Sequence, residues 1–552
     1  MSRSPYENNI FETTGSEEPA EPQPVHWAAT PAVGRRIIPA GRRELGFALV
    51  MVILSCMAVN FTVYGGFRLG YAIGALCIML ATFIYLLRTG VHWNAYGLIC
   101  LVGAMVLSAA FARMDDHLVK FFLLPWTLLV YFLGLSRLTG VGRREDNSFA
   151  SLLDAGRSGF SLPYPEISAC LRGLFSQQTE HGTHKRKWGG VLLGLLLAVP
   201  ALAVLLPLLM QSDAAFEGLI RRTFLADASE FLVTLLFGAL LFLPLYARGV
   251  VLGRAHMEEP EKRSRRGGFS PITLHAFLSA ISFFYLLYLF SQLAYFFSAF
   301  QGILPSGYTM AEYARRGFFE MSIVCAINLA LVALSIGHVK RDPGIPKLTK
   351  GLCLFICLFS LILVACSVSK MSLYIGAYGL TRLRVLTSLF MACVAVALVA
   401  AAVQLFAPRF PAGKLLVCAV LVVGCVAGWM DVDTQVARYN VNAYLTGQLD
   451  TVDIQHLSQL SDGATRYLAR LMASSDEEVR ASARAAMAMK ISEVYHVTIR
   501  GTESESTVLL TLRQTSDWRS WTLTASQADQ VLETAAPNLI PELRAYAAGG
   551  DR

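Results

Sequence analysis

The sequence predicts an all-α, polytopic transmembrane helical bundle of about eleven spans, followed by a small, mainly helical C-terminal soluble domain. Of the 552 residues, 55% are hydrophobic and 16% are charged, whereas soluble proteins carry roughly 25% charged residues. Apolar runs of about 20 residues, the length that crosses a bilayer, recur between residues 45 and 430. These observations exclude an ordinary soluble enzyme and a disordered or fibrous protein.

The chain begins with a polar tail and a first group of spans. Residues 1–44 are predicted to form a disordered cytoplasmic N-terminal tail, because 1–34 are rich in Pro, Ser and Glu and show no hydrophobic period. The first apolar run lies too far into the chain and is too long for a cleavable signal peptide. Residues 45–136 are therefore assigned to transmembrane helices 1–4, at 45–64, 69–87, 95–112 and 118–136.

A long polar segment separates these spans from the rest of the bundle. Residues 137–187 are predicted to be a basic cytoplasmic loop whose short amphipathic helices lie on the inner leaflet. Residues 188–430 are predicted to hold transmembrane helices 5–11, at 188–210, 230–247, 272–298, 317–338, 350–369, 385–406 and 414–430.

The distribution of basic residues predicts the orientation of the spans. The formal net charge is +8, but the loops on one side carry 26 Lys and Arg residues and those on the other side carry 10. Because Lys and Arg near span ends are retained in the cytoplasm, the N-terminus is predicted to be cytoplasmic. With an odd number of spans, the C-terminus is predicted to be extracytoplasmic.

The C-terminal segment has a different character. Residues 431–552 have helical periodicity and carry 16 Asp and Glu against 11 Lys and Arg. They are predicted to form an extracytoplasmic, mainly helical domain. Clusters of β-branched residues at 497–499 and 507–512 predict a small two-stranded element within it.

Two stretches at span ends combine charged and aromatic residues. Glu312, Arg316 and Glu320 are spaced four apart, so a helix would place them on one face as a ladder of ion pairs. Lys370, Tyr374 and Tyr378 have the same spacing, and Gly379 offers a break before the next span. By the predicted orientation both stretches meet on the outer face.

We treat these two stretches as one candidate ligand or ion-pair cluster. Its members are Glu312, Arg315, Arg316, Glu320, Lys370, Tyr374, Tyr378, Arg382 and Arg384. Such a cluster fits an anionic or zwitterionic ligand, because Arg forms bidentate pairs with carboxylates and phosphates. The alternative is a set of interfacial anchors and interhelix ion pairs with a structural role.

The motifs in these stretches resemble those of a known family. Tyr313-Ala-Arg-Arg-Gly-Phe-Phe-Glu320, Tyr378-Gly-Leu-Thr-Arg382 and Ala437-Arg-Tyr-Asn-Val-Asn442 resemble an uncharacterised family of bacterial multi-pass membrane proteins, domain of unknown function 4173, which is related to family 4153. Asp517-Trp-Arg-Ser-Trp521 is similar to the same family's C-terminal part. The resemblance covers roughly 270–530. It implies a bacterial cytoplasmic (inner) membrane protein and supplies no activity, substrate or catalytic residue.

A second candidate feature lies inside the seventh predicted span. Tyr288, Gln292 and Tyr295 share one helix face and are a candidate intramembrane polar face. Interhelix hydrogen bonding within an aromatic bundle is the alternative explanation.

The sequence contains no nucleotide-binding loop, dinucleotide fingerprint, nucleophile elbow or zinc-protease motif. We therefore assign no catalytic residue, metal site or cofactor, and an enzymatic activity is not favoured. The expected partners are the lipid bilayer and an envelope protein bound through 431–552, with no nucleic acid; the sequence leaves the oligomeric state open.

Three function classes follow from these features. The first is a permease-like protein for an unidentified solute, which would use the polar face and the outer cluster. The second is a membrane-anchored signalling or envelope-assembly component acting through its C-terminal domain. The third is an intramembrane transferase on a lipid-linked substrate, for which Glu320, Asp115, Asp116 and His275 are the candidate groups.

Overall fold

The protein is described from a computed structural model as a bundle of long helices with a smaller helical domain at one end. The structure describes residues 37–91, 94–142, 147, 149–175, 205, 208–212, 228–255, 270–301, 318–338, 345–500, 507–512 and 517–549. The predicted tail up to residue 36 and most of the predicted span 188–210 lie outside these residues.

Ten helices among the described residues are long and apolar enough to cross a membrane. They confirm the all-α polytopic fold and coincide with ten of the eleven apolar runs that were predicted to be spans. In chain order, with the short helix α5 included, the helices are α1 (Arg42–Gly65), α2 (Leu69–Arg88), α3 (Ala95–Ala109), α4 (His117–Leu138), α5 (Ile167–Phe175), α6 (Ala228–Ala255), α7 (Pro271–Gln301), α8 (Phe318–His338), α9 (Lys347–Tyr378), α10 (Arg382–Phe406) and α11 (Ala412–Trp429).

Large apolar side chains on these helices point away from the protein. Phe121 and Phe290 are 71% and 68% exposed. A soluble protein rarely leaves so many large apolar residues in water, whereas a hydrocarbon environment solvates them. The exposed residues are therefore the lipid-facing surface of an integral membrane protein.

The bundle has two ends, which we call the basic face and the domain face. The basic face carries Arg42, Arg88 and Arg137, and there the backbone N of Ile38 donates to the carbonyl O of Ala169 in the first turn of α5. The domain face carries the other helix ends and the C-terminal domain. The carbonyl O of Gly173, near the end of α5, accepts from the backbone N of Ala40 at the basic face, whereas Glu230 contacts Asn60 near the domain face. The chain thus changes face between α5 and α6, and an eleventh span there stays a prediction.

Small residues allow neighbouring helices to approach closely. A Cβ added at Gly74 would lie 3.0 Å from the backbone of Ala58, and one at Gly428 would lie 2.9 Å from Cβ of Ala110. Close backbone approach at small residues is a usual means of helix association in membranes. These contacts join α1 to α2 and α11 to the end of α3.

The C-terminal domain follows α11 after a single tight connection. It contains α12 (Val432–Leu445), α13 (Ile454–Ser458), α14 (Thr465–Leu471), α15 (Glu477–Val494), α16 (Leu523–Ala535) and α17 (Ile540–Gly549). The two predicted strands are present as β1 (Tyr495–Arg500) and β2 (Thr507–Leu512), which pair antiparallel with Tyr495 opposite Leu512. Its core side chains, such as Leu468, Met487 and Leu539, are fully buried.

Candidate functional site between the bundle and the C-terminal domain

The connection between α9 and α10 is held by α12 of the C-terminal domain. Helix α9 ends at Tyr378 because Gly379 adopts a φ of 72°, a conformation that favours glycine. The side chain of Asn440 then accepts a hydrogen bond from the backbone N of Leu380 at 2.6 Å and donates to the carbonyl O of Leu380 at 2.9 Å. The C-terminal domain therefore recognises the backbone of this connection directly.

Arg382, the first residue of α10, lies between the bundle and the domain. Its Nη2 donates to Oδ2 of Asp433 at 2.6 Å and its Nε donates to Oδ1 of the same carboxylate. Its Nε also lies 3.7 Å from Oδ2 of Asp116, in the α3–α4 connection. Bidentate guanidinium–carboxylate pairs have defined geometry as well as strength, so Arg382 fixes the domain relative to two parts of the bundle.

Both carboxylates that face Arg382 are also held by backbone groups. Oδ2 of Asp433 accepts from the backbone N of Ser461 at 2.7 Å. Oδ1 of Asp116 accepts from the backbone N of Leu118 and Val119 at 2.9 and 3.2 Å and so caps the start of α4. The pKa of Asp116 is raised, first by burial and then by the charge of Asp433.

A second ion-pair group lies next to the first. Nε of Arg68 donates to Oδ1 of Asp115 at 3.0 Å, and Nζ of Lys120 donates to the same oxygen at 2.9 Å. Burial opposes the ionisation of Asp115, but the hydrogen bond from Arg68 and the charge of Lys120 outweigh it, and the pKa of Asp115 lies below its usual value. These pairs join the α1–α2 connection to the start of α4.

Asp431 is the most unusual carboxylate at this junction. It has a φ of 53°, is 1% exposed, and its Oδ2 accepts from the hydroxyl of Thr434 at 2.5 Å. Oδ1 accepts no hydrogen bond from any residue that the structure describes. Burial raises the pKa of Asp431 from 3.8 to about 6, and the charge of Asp433 adds to the effect while Thr434 opposes it.

Glycine at position 463 makes room for this carboxylate. A Cβ at Gly463 would collide with Oδ2 of Asp431 and with Oγ1 of Thr434. The neighbouring Asp462 also has a raised pKa, mainly because it is buried. The start of α12 and the turn before α14 therefore pack together around a buried acid group.

A separate attachment joins the last part of the domain to α1 and α6. Nη1 of Arg519 donates to Oδ1 of Asn60 at 2.5 Å and to Oε1 of Glu230 at 2.6 Å. The ring of Trp518 packs edge-on against Phe61, with centroids 5.0 Å apart. The domain is thus also bound to α1 and α6, and Arg68, which donates to the carbonyl O of Ser520 at 3.3 Å and to Asp115, lies between this attachment and the one at Arg382.

The structure assigns the predicted residues at 370–384 to different contacts. Arg384 lies over the ring of Tyr374, 3.9 Å from its centroid, and donates to the carbonyl O of Tyr378 at 3.2 Å, so it covers the end of α9. Tyr378 is 51% exposed, and Lys370 is half-buried one turn before Tyr374. Arg382, also a member of the predicted cluster, reaches the C-terminal domain through its ion pair with Asp433.

The other predicted stretch is described only in part. Glu312, Arg315 and Arg316 lie outside the described residues, and Glu320 is exposed in the first turn of α8. The ladder of ion pairs and the meeting of the two stretches stay predictions.

The predicted intramembrane face is likewise only partly described. The side chains of Gln292 and Tyr295 lie outside the described part of the chain, and Tyr288 is 40% exposed beside Phe359. A buried polar chain runs instead from Tyr285, whose hydroxyl donates to Oδ1 of Asn328 at 2.6 Å. Asn328 in turn donates to the hydroxyl of Ser360 at 2.9 Å, linking α7, α8 and α9.

Sequence reasoning missed the acceptors on the domain side. Asp431 and Asp433 follow directly after the last span, which was the available signal, and Asn440 and Arg519 belong to the motifs that carried the family resemblance. Among the residues that the structure describes, no group of three or more His, Cys, Asp and Glu is arranged to hold a metal ion.

The chain matches the family model "Domain of unknown function (DUF4153)" over residues 31–471. This range includes the first spans, which the motif resemblance did not reach, and α12 with Asp433 and Asn440. The chain belongs to the DUF4153 family. No curated protein and no solved structure matches the chain.

The match is to family 4153, which we named as the related family, and it does not show membership of family 4173, which the motifs resemble. Ten apolar helices and this membership make the chain a membrane-embedded protein of unknown activity.

Proposed function

We propose that the protein is a membrane-anchored signalling or envelope-assembly component that acts through its C-terminal domain, residues 431–552. The observation that carries the proposal is the position of Arg382, which belongs to span α10 and is bound by Asp433 of the domain. Because the pair is bidentate, a displacement of α12 changes the force on α10. When a partner binds the domain and displaces α12, the displacement is therefore transmitted to the bundle.

The second attachment supports the same proposal. Arg519 binds Asn60 of α1 and Glu230 of α6, whereas Arg382 belongs to α10. A rigid domain bound at two places on different spans can change their relative position when a partner moves it.

We further propose the cytoplasmic membrane of a bacterium as the location, with the N-terminus in the cytoplasm and the domain face outside. The excess of basic residues on the other side supports this orientation. The partner would then be an envelope protein. The motif resemblance to family 4173 supports the bacterial origin. A reporter fused at residue 552 that is active only in the cytoplasm would contradict the orientation.

The experiment uses the full-length protein in its native host. A photoreactive amino acid is placed at Met489, Leu509 or Tyr546, which are 37%, 50% and 47% exposed on the domain. We expect one discrete cross-linked product from at least one position, and complementation of a gene deletion by the wild-type chain. The Arg382→Ala variant should still form the cross-linked product, because its domain still binds the partner. It should not complement the gene deletion, because movement of the domain is no longer transmitted to α10.

Arg500→Ala is the matched control, because Arg500 is an exposed arginine on β1. It should keep both the cross-link and complementation. The proposal is wrong if no position gives a product, or if Arg382→Ala complements as well as the wild-type chain does.

A permease-like function is the second candidate, and the buried chain Tyr285–Asn328–Ser360 favours it. Buried polar groups inside membrane helices often mark a solute or ion path. Solute uptake into proteoliposomes that is lost in Asn328→Leu, with the protein still folded, would support this candidate over the first.

A transferase on a lipid-linked substrate has less support. Asp115 and Asp116 are engaged in the contacts above, and Nε2 of His275 lies 2.8 Å from the hydroxyl of Thr349. Glu320 is exposed at the end of its span. The candidate groups are therefore spread over separate structural contacts.

A further inference from the structure

A cavity of about 520 Å³ lies where the bundle meets α12. Its floor is apolar and includes Val385 and Leu389 of α10 and Val426 and Ala427 of α11. Its rim is polar and is formed by α12, with Arg438 as the charged member. The cavity thus has the apolar body and few polar groups that are usual in sites for small amphiphilic molecules.

The floor of the cavity is placed at the depth of lipid headgroups. Val385 and Leu389 lie in the first two turns of α10, and Val426 lies in the last turn of α11, so both helices end at this level. Trp429 and Tyr439 beside the cavity are 40% and 36% exposed. Exposed Trp and Tyr side chains concentrate at the boundary between hydrocarbon and headgroups.

The floor also continues into the lipid-facing surface. Val422, one helical turn before Val426, is 61% exposed, and Phe390, next to Leu389, is 39% exposed. An acyl chain that follows these residues can enter the cavity from the bilayer. A small soluble anion would leave the apolar floor uncovered.

The rim supplies a positive charge without a compensating acid. Arg438 is exposed and has neither an ion pair nor a hydrogen bond with any residue that the structure describes. Two of the other polar rim groups are engaged, since Gln435 donates to the carbonyl O of Met430 at 3.1 Å and Asn442 accepts from Arg470 at 2.9 Å. Among the described lining residues, none is acidic. A net-negative headgroup fits this rim better than a zwitterionic one.

We propose that this cavity binds an anionic phospholipid of the surrounding leaflet, with its phosphate on Arg438 and its acyl chain on the floor formed by α10 and α11. The site goes beyond the proposed function and does not depend on it, because it rests on the cavity lining alone. A bound lipid would contact α10, α11 and α12 together, so it would also stabilise the junction held by Arg382.

The test uses the purified full-length protein in nanodiscs of phosphatidylcholine with a minor fraction of phosphatidylglycerol. Native mass spectrometry counts the lipids that stay bound after extraction, and a photoactivatable phosphatidylglycerol locates the site. We expect phosphatidylglycerol to be retained in preference to phosphatidylcholine and to cross-link to α11 or α12. Arg438→Gln should weaken its retention about tenfold or more, because a hydrogen bond to a charged group is lost.

Two further variants test the contribution of the apolar floor to lipid binding separately from that of the rim. Val385→Trp fills the floor and should abolish cross-linking with Arg438 intact, whereas Val396→Trp, at a 38% exposed lipid-facing position of the same helix, should leave it unchanged. Thermal melting verifies that each variant is folded.

Three results would overturn the proposal. One is equal retention of phosphatidylglycerol by the wild-type chain and by folded Arg438→Gln. Another is equal retention of phosphatidylcholine and phosphatidylglycerol. The last is displacement of the lipid by inorganic phosphate alone, which would mean that the site recognises a soluble anion.

Discussion

Arg382 and Asp433 form a bidentate ion pair across the boundary between the transmembrane bundle and the C-terminal domain. The Asp433 side chain is 0% exposed and that of Arg382 is 29% exposed. The pair is partly buried, so each partner depends on the other for compensation of its charge. This dependence makes the pair the most direct point at which to test how domain and bundle are coupled.

Removing Arg382 is expected to destabilise the junction. Arg382→Ala leaves the buried carboxylates of Asp433 and Asp116 without their cation, which should cost about 3 kcal/mol in the free energy of unfolding. Denaturation of the detergent-solubilised protein, followed by tryptophan fluorescence, measures this change.

A double-mutant cycle with Asp433→Ala separates the pair from its surroundings. The double variant should be more stable than the sum of the two single changes predicts, because removing both partners leaves Asp116 but not Asp433 without its cation. Additive losses would mean that the pair does not couple domain and bundle. Arg500→Ala, at an exposed position, should change stability by less than about 0.5 kcal/mol.

Gly379 is expected to be intolerant of a side chain. Its φ is 72° with ψ near 180°, a region essentially restricted to glycine, and a Cβ would collide with Oδ1 of Asn440. Gly379→Ala should therefore cost about 2–3 kcal/mol and should release Asn440 from Leu380. Thermal melting and hydrogen exchange at the amide of Leu380 measure both effects.

Gly376→Ala is the matched control for this substitution. Gly376 lies in the last turn of α9, and a Cβ there would meet nothing within 4 Å. Because alanine is the better helix former, the variant should be neutral or more stable by up to about 1 kcal/mol. Equal losses of stability in Gly376→Ala and Gly379→Ala would show that the side chain disturbs the end of α9 itself and not its contact with α12.

The stability of the junction is expected to depend on pH through Asp431. Its pKa is raised from 3.8 to about 6 in the folded protein, so the folded state binds a proton that the unfolded state releases over this range. The resulting stabilisation, about 3 kcal/mol, is present in full below about pH 4 and is lost as the pH rises through about 6. The raised pKa of Asp116 and of Asp462 acts in the same direction.

Asp431→Asn removes this titration while keeping the shape of the side chain. Its melting temperature should vary less between about pH 4 and about pH 7 than that of the wild-type protein, and should exceed it at neutral pH. Identical pH profiles for the two proteins would exclude Asp431 as the group responsible.

Substitutions in the buried hydrogen-bonded group Tyr285–Asn328–Ser360 can distinguish a structural role from a transport role. Asn328 is 0% exposed and bonds both Tyr285 and Ser360. Tyr285→Phe removes one interhelix hydrogen bond and should cost about 0.6 kcal/mol, whereas Tyr378→Phe, at a half-exposed phenol, should cost less. Loss of solute uptake in folded Tyr285→Phe, with stability nearly unchanged, would favour the permease-like function.

The positions of the spans could be predicted from the sequence because the bilayer imposes a local rule. Each crossing needs about 20 apolar residues in one run, so runs such as 45–64 and 385–406 correspond to α1 and α10 without knowledge of their neighbours. The break after Tyr378 was likewise predictable, because Gly379 is a local conformational signal. The clusters of β-branched residues at 497–499 and 507–512 predicted a two-stranded element, and they lie in β1 and β2.

Which polar groups meet could not be predicted in the same way. Lys370, Tyr374 and Arg384 were grouped with Arg382 because they belong to one stretch that links two spans, yet Arg384 turns back to cover the end of α9 and Arg382 turns outward to Asp433. The partners of Arg382 are 51 residues away in α12 and in the α3–α4 connection. Spacing within one helix carries no information about such contacts.

The sequence by itself therefore determined that this chain is a multi-span helical membrane protein with a helical C-terminal domain, because hydrophobic length and periodicity are properties of consecutive residues. Only the tertiary structure decided that the domain is bound to the bundle by Arg382 and Arg519 and that Asp431 is buried with a raised pKa. Ion pairing and desolvation depend on which groups, distant in the sequence, come together in a region without water. The packing of the spans determines which groups these are.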